Sequence, residues 1–394
     1  MADTHPPDDV RGRGFRRRAT LAEALARVDA ATAALPARPA APAAGGVLAQ
    51  AVVAAADHPP GPVALWDGYA VRAADTLGAD TYNPLSLFPG AAVAVAAGES
   101  LPPGTDAVVP VESAVASPPG IEVAEAVAPG HGVLGRGEMA AAGAELLPAG
   151  RILRPQDVAL LAALGVARVA AVPAPRVRIL IAGGPRGGAA DADTPLLAAL
   201  VARDGGVAEC AGPLPADRAA LAAELRRPGA DLILLAGRSG VGPDDVAPLA
   251  LADAGGLALH GLALRPGGSG GLGHAGGVPV VLLPGDPAAC WAVYEALGGR
   301  AVRRLAGRPA GLPHPAVRRR ARRKLVSEIG VAEFYRVRLA GDDGVEPLAS
   351  AAVPGAAALA RADGFVLIPA QSEGVAPGDE TTVRLYDGSA AGLW

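Results

Sequence analysis

The sequence predicts a multidomain α/β protein: a doubly wound, mostly parallel α/β domain, an inserted β domain, a helical N-terminal region and a C-terminal β domain. Three observations predict it. The apolar runs "VRILIAGG", "DLILLAGR" and "VPVVLLPGD" each end in a Gly-rich loop and alternate with helical patterns such as "TPLLAALVARDGG" and "DRAALAAELRR". Continuous apolar strands separated by helices are what a parallel sheet covered on both faces requires. On either side of this stretch the pattern turns into short β-like pieces broken by Pro and Gly. The chain, at 394 residues, also exceeds what one hydrophobic core usually serves.

Taken in order, residues 1–18 carry arginines with no apolar stretch behind them, which fails as a secretory signal and reads as a disordered arm. Thr20 followed by Glu23 is a capping box, with Leu21, Ala24, Leu25 and Val28 on one face, so a helix starts at about Thr20. Residues 19–57 and 150–175 are read as two halves of one N-terminal domain. The helix of the second half is "PQDVALLAALG", with Pro155 near its start, Asp157 in its first turn and Gly165 at its end. Between the halves, residues 58–149 form the inserted β domain, carried by "AAVAVAAG", "TDAVVPVE" and "IEVAEAV". Residues 176–309 are the α/β domain. Ligands in such folds bind at the carboxyl ends of the strands, which selects the loops 183–188, 237–245 and 284–287. Residues 310–394 alternate apolar and polar around Gly and Pro turns and form the terminal β domain.

Several chemistries are excluded. Lys324 is the only lysine, which removes a Walker phosphate loop and a Schiff-base lysine. Net charge is −4, and the arginine cluster "RRRARRK" at 318–324 has no aromatic platform, so it reads as a solvated strand entry and no nucleic-acid partner is expected. Cys210 and Cys290 are too few and too isolated for a disulfide framework or a thiolate metal site and read as buried thiols. The six histidines show no ligand spacing. Apolar runs stop well short of the roughly 20 residues a membrane span needs, so no membrane partner and a cytoplasmic location are expected.

Asp67-Gly68 in "VALWDGYAVRAADT" reads first as a turn, since both residues tolerate left-handed backbone; a functional carboxylate is the other reading. In "GRSGVGPDDV", Asp244 and Asp245 suit either a hard cation or a helix cap. "LPGDPAACW" can hold an anion at the start of the next helix or be a bare turn. "GGPRGG" is Gly-rich without fitting a dinucleotide fingerprint.

In this order, "WDGYAVRAADT", "AAGESLPPGTDAVVPVE", "GRGEMAAAG", "PRVRILIAGG", "AGRSGVGPDD", "LRPGG" and "LLPGDP" resemble the MDGYA, TGAPLPxGxDAVVxxE and GEDxxxG segments, the strand before TGDEL, and the GGVSVGxxD, KPGKP and LPGNP segments of one family. That family is molybdopterin molybdenumtransferase, to which the C-terminal domain of gephyrin corresponds. The resemblance runs from about Thr20 to Tyr386. It implies an α/β domain of the molybdopterin-binding type, a homodimer, and a reaction in which adenylylated molybdopterin binds, molybdate is inserted at its dithiolene and AMP leaves with help from Mg²⁺. It implies that Asp67 and Asp245 are the catalytic carboxylates and Mg²⁺ ligands, Asp67 on the domain that faces the partner subunit's cleft. The substrate-binding set it implies is Gly184, Arg186, Asp217, Gly237, Gly240, Gly242, Arg265, Pro266, Pro284, Gly285, Asp286 and Pro287, with "LRPGG" and "PGDP" cradling pterin and phosphates. Phosphates and molybdate are anions, so carboxylates beside them make sense chiefly as holders of Mg²⁺.

The sequence also departs from the pattern. The Thr of TGA falls at Ala97, the Asp of GED at Met139, the Asp and Glu of TGDEL at Pro185 and Arg186, the lysines of KPGKP at Arg265 and Gly268, and the Asn of LPGNP at Asp286. An expected Asp pair in "LPADRAAL" is reduced to Asp217. Two functions stay open: a transferase, favoured by Asp67, Asp245 and the Pro-Gly loops, and a carrier or scaffold delivering molybdopterin or finished cofactor to a target molybdoenzyme, favoured by the losses at Ala97, Met139 and Arg186.

Overall fold

Residues 9–184, 190–349 and 355–387 are described by the computed structural model, and they fall into two units. The larger comprises the described residues of Met1–Arg38, Gly45–Val47 and Ala171–Trp394, the smaller those of Pro39–Ala44 and Leu48–Ala170.

In the larger unit the first helix, α1 (Leu21–Ala31), opens on the expected capping box: the Glu23 N–H donates to Thr20 Oγ1 at 3.2 Å and the Thr20 N–H to Glu23 Oε2 at 2.8 Å. Its apolar face, through Ala24 and Val28, enters the core of the α/β sheet. α1 packs within the larger unit. The arm read as disordered is placed from Asp9 onward, with the Gly12 N–H donating to Val241 O at 2.8 Å and the Ala19 N–H to Gly261 O at 2.9 Å. Residues 1–8 lie outside the described residues.

The α/β segment runs β1 (Arg176–Ala182), α2 (Asp193–Arg203), β2 (Val207–Leu214), α3 (Arg218–Leu225), β3 (Leu232–Ala236), α4 (Ala247–Ala254), β4 (Gly255–His260), β5 (Gly271–Ala275), β6 (Val278–Leu283) and α5 (Pro287–Val293). The sheet order is β2-β1-β3-β6-β5-β4. Its first four strands are parallel, and β5 runs antiparallel to both its neighbours, β6 and β4. Alternate residues of the apolar strands serve opposite faces: Val177, Ile179, Leu234 and Val281 one core, Leu180, Ile233, Leu235 and Leu282 the other. That is why these runs are apolar without alternation.

A closed five-stranded barrel follows, from β7 (Ala316–Ala321), β8 (Ala332–Ala340), β9 (Gly344–Ala349), β10 (Gly364–Ile368) and β11 (Glu380–Leu385), in the order β8-β9-β7-β11-β10 with β10 pairing back to β8. The arginine cluster lies on and just after β7. There Arg318 bonds Glu380 and Arg322 bonds Asp343, both at 2.6 Å, as a solvated strand entry should. Trp291 of α5 meets Phe334, Phe365 and Tyr386 at ring separations of 5.4, 5.2 and 5.5 Å. Cys290 is buried, but Cys210 is exposed on edge strand β2, so only one of the two thiols is a core residue.

In the smaller unit the strand Gly68–Val71 lies between Ala92–Val95 and Ala107–Pro110, antiparallel to both. Gly68 opens this strand, so Asp67-Gly68 is not the turn it first reads as. A Cβ on Gly68 would lie 2.1 Å from Val109 O; the glycine is required by the close approach of a neighbouring strand. The helix Pro155–Ala163 forms with Pro155 in its first turn. Among the described residues no helix is long and apolar enough to cross a membrane.

Candidate active site

Loops 237–245 and 284–287 of the larger unit meet at the carboxyl ends of the parallel strands; of the expected loop 183–188 only Gly183 and Gly184 lie within the described residues. Just beyond β3 lies Gly237, whose φ is +86° and whose added Cβ would lie 2.8 Å from Ala182 O; its N–H donates to Leu283 O at 3.0 Å. Gly285, just beyond β6, packs so that a Cβ would be 3.1 Å from Gly237 Cα. Only glycine satisfies both constraints at Gly237. The two loops are joined again through Ser239, whose hydroxyl donates to Leu283 O at 3.2 Å and lies 3.4 Å from Ser269 Oγ. That contact brings in the loop 265–269, where Arg265 and Pro266 are linked by a cis peptide. Arg238 lies over Gly183, so that a Cβ there would be 2.5 Å from its Nε, and approaches Asp244 at 4.0 Å.

Asp245 folds its own loop. Its Oδ2 accepts the Gly242 N–H at 2.7 Å, and a Cβ on Gly240 would lie 2.6 Å from the same oxygen. Its other oxygen has no hydrogen bond among the described residues. Asp286 caps α5, accepting from Ala288 N–H and Ala289 N–H at 3.1 Å each, with Pro287 as the first helical residue. Asp217 likewise caps α3, accepting the Ala220 N–H at 2.8 Å. Both carboxylates are thus engaged at helix starts. Arg265 bonds Glu328 and lies 4.0 Å from Glu333. Gly184 is exposed just beyond β1, while Arg186 lies outside the described residues.

Asp67 belongs to the smaller unit, exposed, with Oδ1 accepting the Ala97 N–H at 2.8 Å and Oδ2 free of hydrogen bonds among the described residues. The segment departing from the family pattern at Ala97 therefore still orients Asp67, through its backbone.

One carboxylate group was missed. Asp193, only 6% exposed, opens α2, and its Oδ1 is buried with no hydrogen-bond partner among the described residues. Burial, with Asp191 and Asp286 nearby, pushes the Asp193 carboxyl up to about 7. The legible signal was "DADTP", an acidic run opening a helix after a Gly-rich strand end. Because the folded pKa is raised, Asp193 favours the folded state fully below about 3.8 and loses that contribution as pH rises through about 7. Thermal melts of Asp193→Asn and the unmodified protein should therefore differ increasingly between these two limits, with the variant gaining relative stability as pH rises. A pH-independent difference would contradict the assignment.

Residues 19–165 match the family described as "MoeA N-terminal region (domain I and II)", residues 164–304 the "Probable molybdopterin binding domain", and residues 318–386 the "MoeA C-terminal region (domain IV)". The chain is 31% identical over 283 residues to molybdopterin molybdenumtransferase 2 of Mycobacterium tuberculosis, covering 63% of this chain and 69% of that protein. The chain belongs to the molybdopterin molybdenumtransferase family. Molybdopterin molybdenumtransferase 1 of the same organism is 28% identical over 370 residues, covering 79% of this chain and 85% of that one. The crystal structure of the molybdopterin biosynthesis moeA protein of Pyrococcus horikoshii superposes with a TM-score of 0.73 at 26% identity, covering 94% of this chain and all of that one.

Membership in the molybdenumtransferase family makes Mg²⁺ the ion to test against these residues. Among the described residues no group of three or more His, Cys, Asp or Glu side chains could hold a metal ion. Mg²⁺ in phosphate-handling sites, however, is commonly held by one or two carboxylates, with the substrate's own phosphates and waters completing the shell. Asp67 in the smaller unit and Asp245 in the larger each have one oxygen spent on a backbone N–H and the other without a hydrogen bond among the described residues, so each by itself has the donor such a single-carboxylate contact uses.

Proposed function

We propose that the chain is an active molybdopterin molybdenumtransferase, inserting molybdate into adenylylated molybdopterin with release of AMP. The observation that carries the reading is the convergence of loops 237–245, 265–269 and 284–287 at the carboxyl end of one sheet, held by the Gly237–Gly285 contact and by Ser239. These loops bind the pterin and phosphates; their glycines let the ligand approach the backbone. Asp245 is fixed in its loop and Asp67 by Ala97, so both carboxylates are oriented before substrate arrives. Each carboxylate keeps an oxygen that would be available to Mg²⁺, which when bound would supply neutralisation of phosphate charge. The resemblance further supports a homodimer in which the domain carrying Asp67 faces the partner subunit's cleft, and action in the cytoplasm.

The test is to incubate the purified protein with adenylylated molybdopterin and Mg²⁺, with and without molybdate, and assay free AMP. AMP that appears only with molybdate is the expected result. Tight pterin binding with no AMP in either case would replace the enzyme by a carrier that hands its ligand to a target molybdoenzyme.

A further inference from the structure

The N-terminal arm runs directly beside the substrate loops. The Gly12 N–H donates to Val241 O at 2.8 Å and Arg11 Nη1 to Pro243 O at 3.2 Å, both within the loop that carries Asp245. Phe15 stands edge-on to His260 at 4.9 Å, and His260 Nε2 lies 2.8 Å from Ser239 O. Gly261 admits the aromatic ring, since a Cβ there would be 2.6 Å from Phe15 Cδ1. Ala19 then fixes the arm, its N–H donating to Gly261 O at 2.9 Å and its carbonyl accepting the Ala263 N–H at 2.8 Å.

Arg18 is held between Phe15 and Ala19. Its guanidinium carbon lies 5.4 Å from the Phe15 ring centroid, a cation–π contact. A Cβ built on Gly268 would lie 3.7 Å from that same carbon and from Nε, so the guanidinium stands within contact distance of the loop at Gly268. Arg18 is exposed and makes no hydrogen bond or ion pair among the described residues. The loop's own cation differs, because Arg265 is bonded to Glu328 and faces Glu333. A positioned guanidinium with its donors free, next to a glycine loop, is suited to bidentate recognition of an oxyanion. Phe15 and the Ala19 bridge reduce the ordering cost such a contact would otherwise carry.

We propose that Arg18 is a substrate-binding residue that the arm supplies to loop 265–269, its ligand a phosphate group of the substrate. The inference rests on the functional reading above, which places substrate phosphates at these loops. It extends the site to a segment that composition alone marks as a disordered arm.

The experiment is calorimetric titration of the full chain with inorganic pyrophosphate as the probe. Arg18→Ala should weaken binding about tenfold or more, the loss of one charge-assisted contact, and Arg18→Lys should fall between the two. Adding Gly268→Lys to Arg18→Ala should restore most of the affinity by moving the cation onto the loop. Arg323→Ala, an exposed arginine of the cluster beyond β7, should change nothing. Equal affinity in the unmodified protein and Arg18→Ala, or no pyrophosphate binding by the unmodified protein, overturns the proposal. AMP release assayed in parallel separates the two readings. Normal release with an indifferent Arg18 removes only the arm, whereas Arg18-dependent pyrophosphate binding without AMP release removes only the transferase.

Discussion

Asp67→Asn should reduce AMP release about a hundredfold or more while leaving the fold intact. The carboxylate is exposed, and among the described residues Oδ1 accepts only the Ala97 N–H, a bond an asparagine carbonyl can also accept. The substitution therefore removes a charge without removing a structural contact. Loss of a positioned electrostatic group at a phosphoryl or acyl centre typically costs 10²–10³ in rate, and a carboxylate holding Mg²⁺ belongs in that range. Single-turnover AMP release and thermal melts of both proteins check it. An unchanged melting curve with a collapsed rate is expected; an unchanged rate would take Asp67 out of the chemistry.

Trp291→Ala should destabilise the larger unit by about 3–5 kcal/mol, the range for deleting a large aromatic side chain from a core. Trp291 is 4% exposed, and its indole is surrounded edge-on by Phe334, Phe365 and Tyr386, so little can collapse into the space it vacates. The ring joins α5, which begins at the substrate loop 284–287, to strands β8 and β10 of the barrel. Urea unfolding followed by circular dichroism measures the effect. A loss below about 1 kcal/mol would mean that the site repacks and that this aromatic group does not join the two layers.

What could be read from the chain depended on how local its signals were. The buried strands β1, β3 and β6 were legible because both faces are covered, which leaves an uninterrupted apolar run. Edge strand β2, with its exposed valine and cysteine, and the glycine-rich hairpin of β4 and β5 carry no such signal and were not singled out. The capping box at Thr20 was legible because it is a local, reciprocal hydrogen-bond pattern. Where α1 packs was not, since an amphipathic face does not name its partner. The same limit explains Gly68, whose glycine answers a carbonyl on a strand some forty residues away, and the arm, whose order comes from contacts with Val241, His260 and Gly261. In the site, Gly237, Asp245 and Gly285 were reached through motif resemblance. Asp193 and Arg18 fall outside the matched motifs; the acidic run "DADTP" marks Asp193 only as part of a helix start, and burial and proximity single both residues out.

The stoichiometry of a single turnover decides between a transferase and a carrier. The protein is mixed with adenylylated molybdopterin, Mg²⁺ and molybdate, and AMP and pterin-bound molybdenum are counted in the same sample. A transferase releases them together, one for one, and neither appears when molybdate is omitted. Pterin that stays adenylylated and free of molybdenum while bound to the protein would contradict the transferase reading.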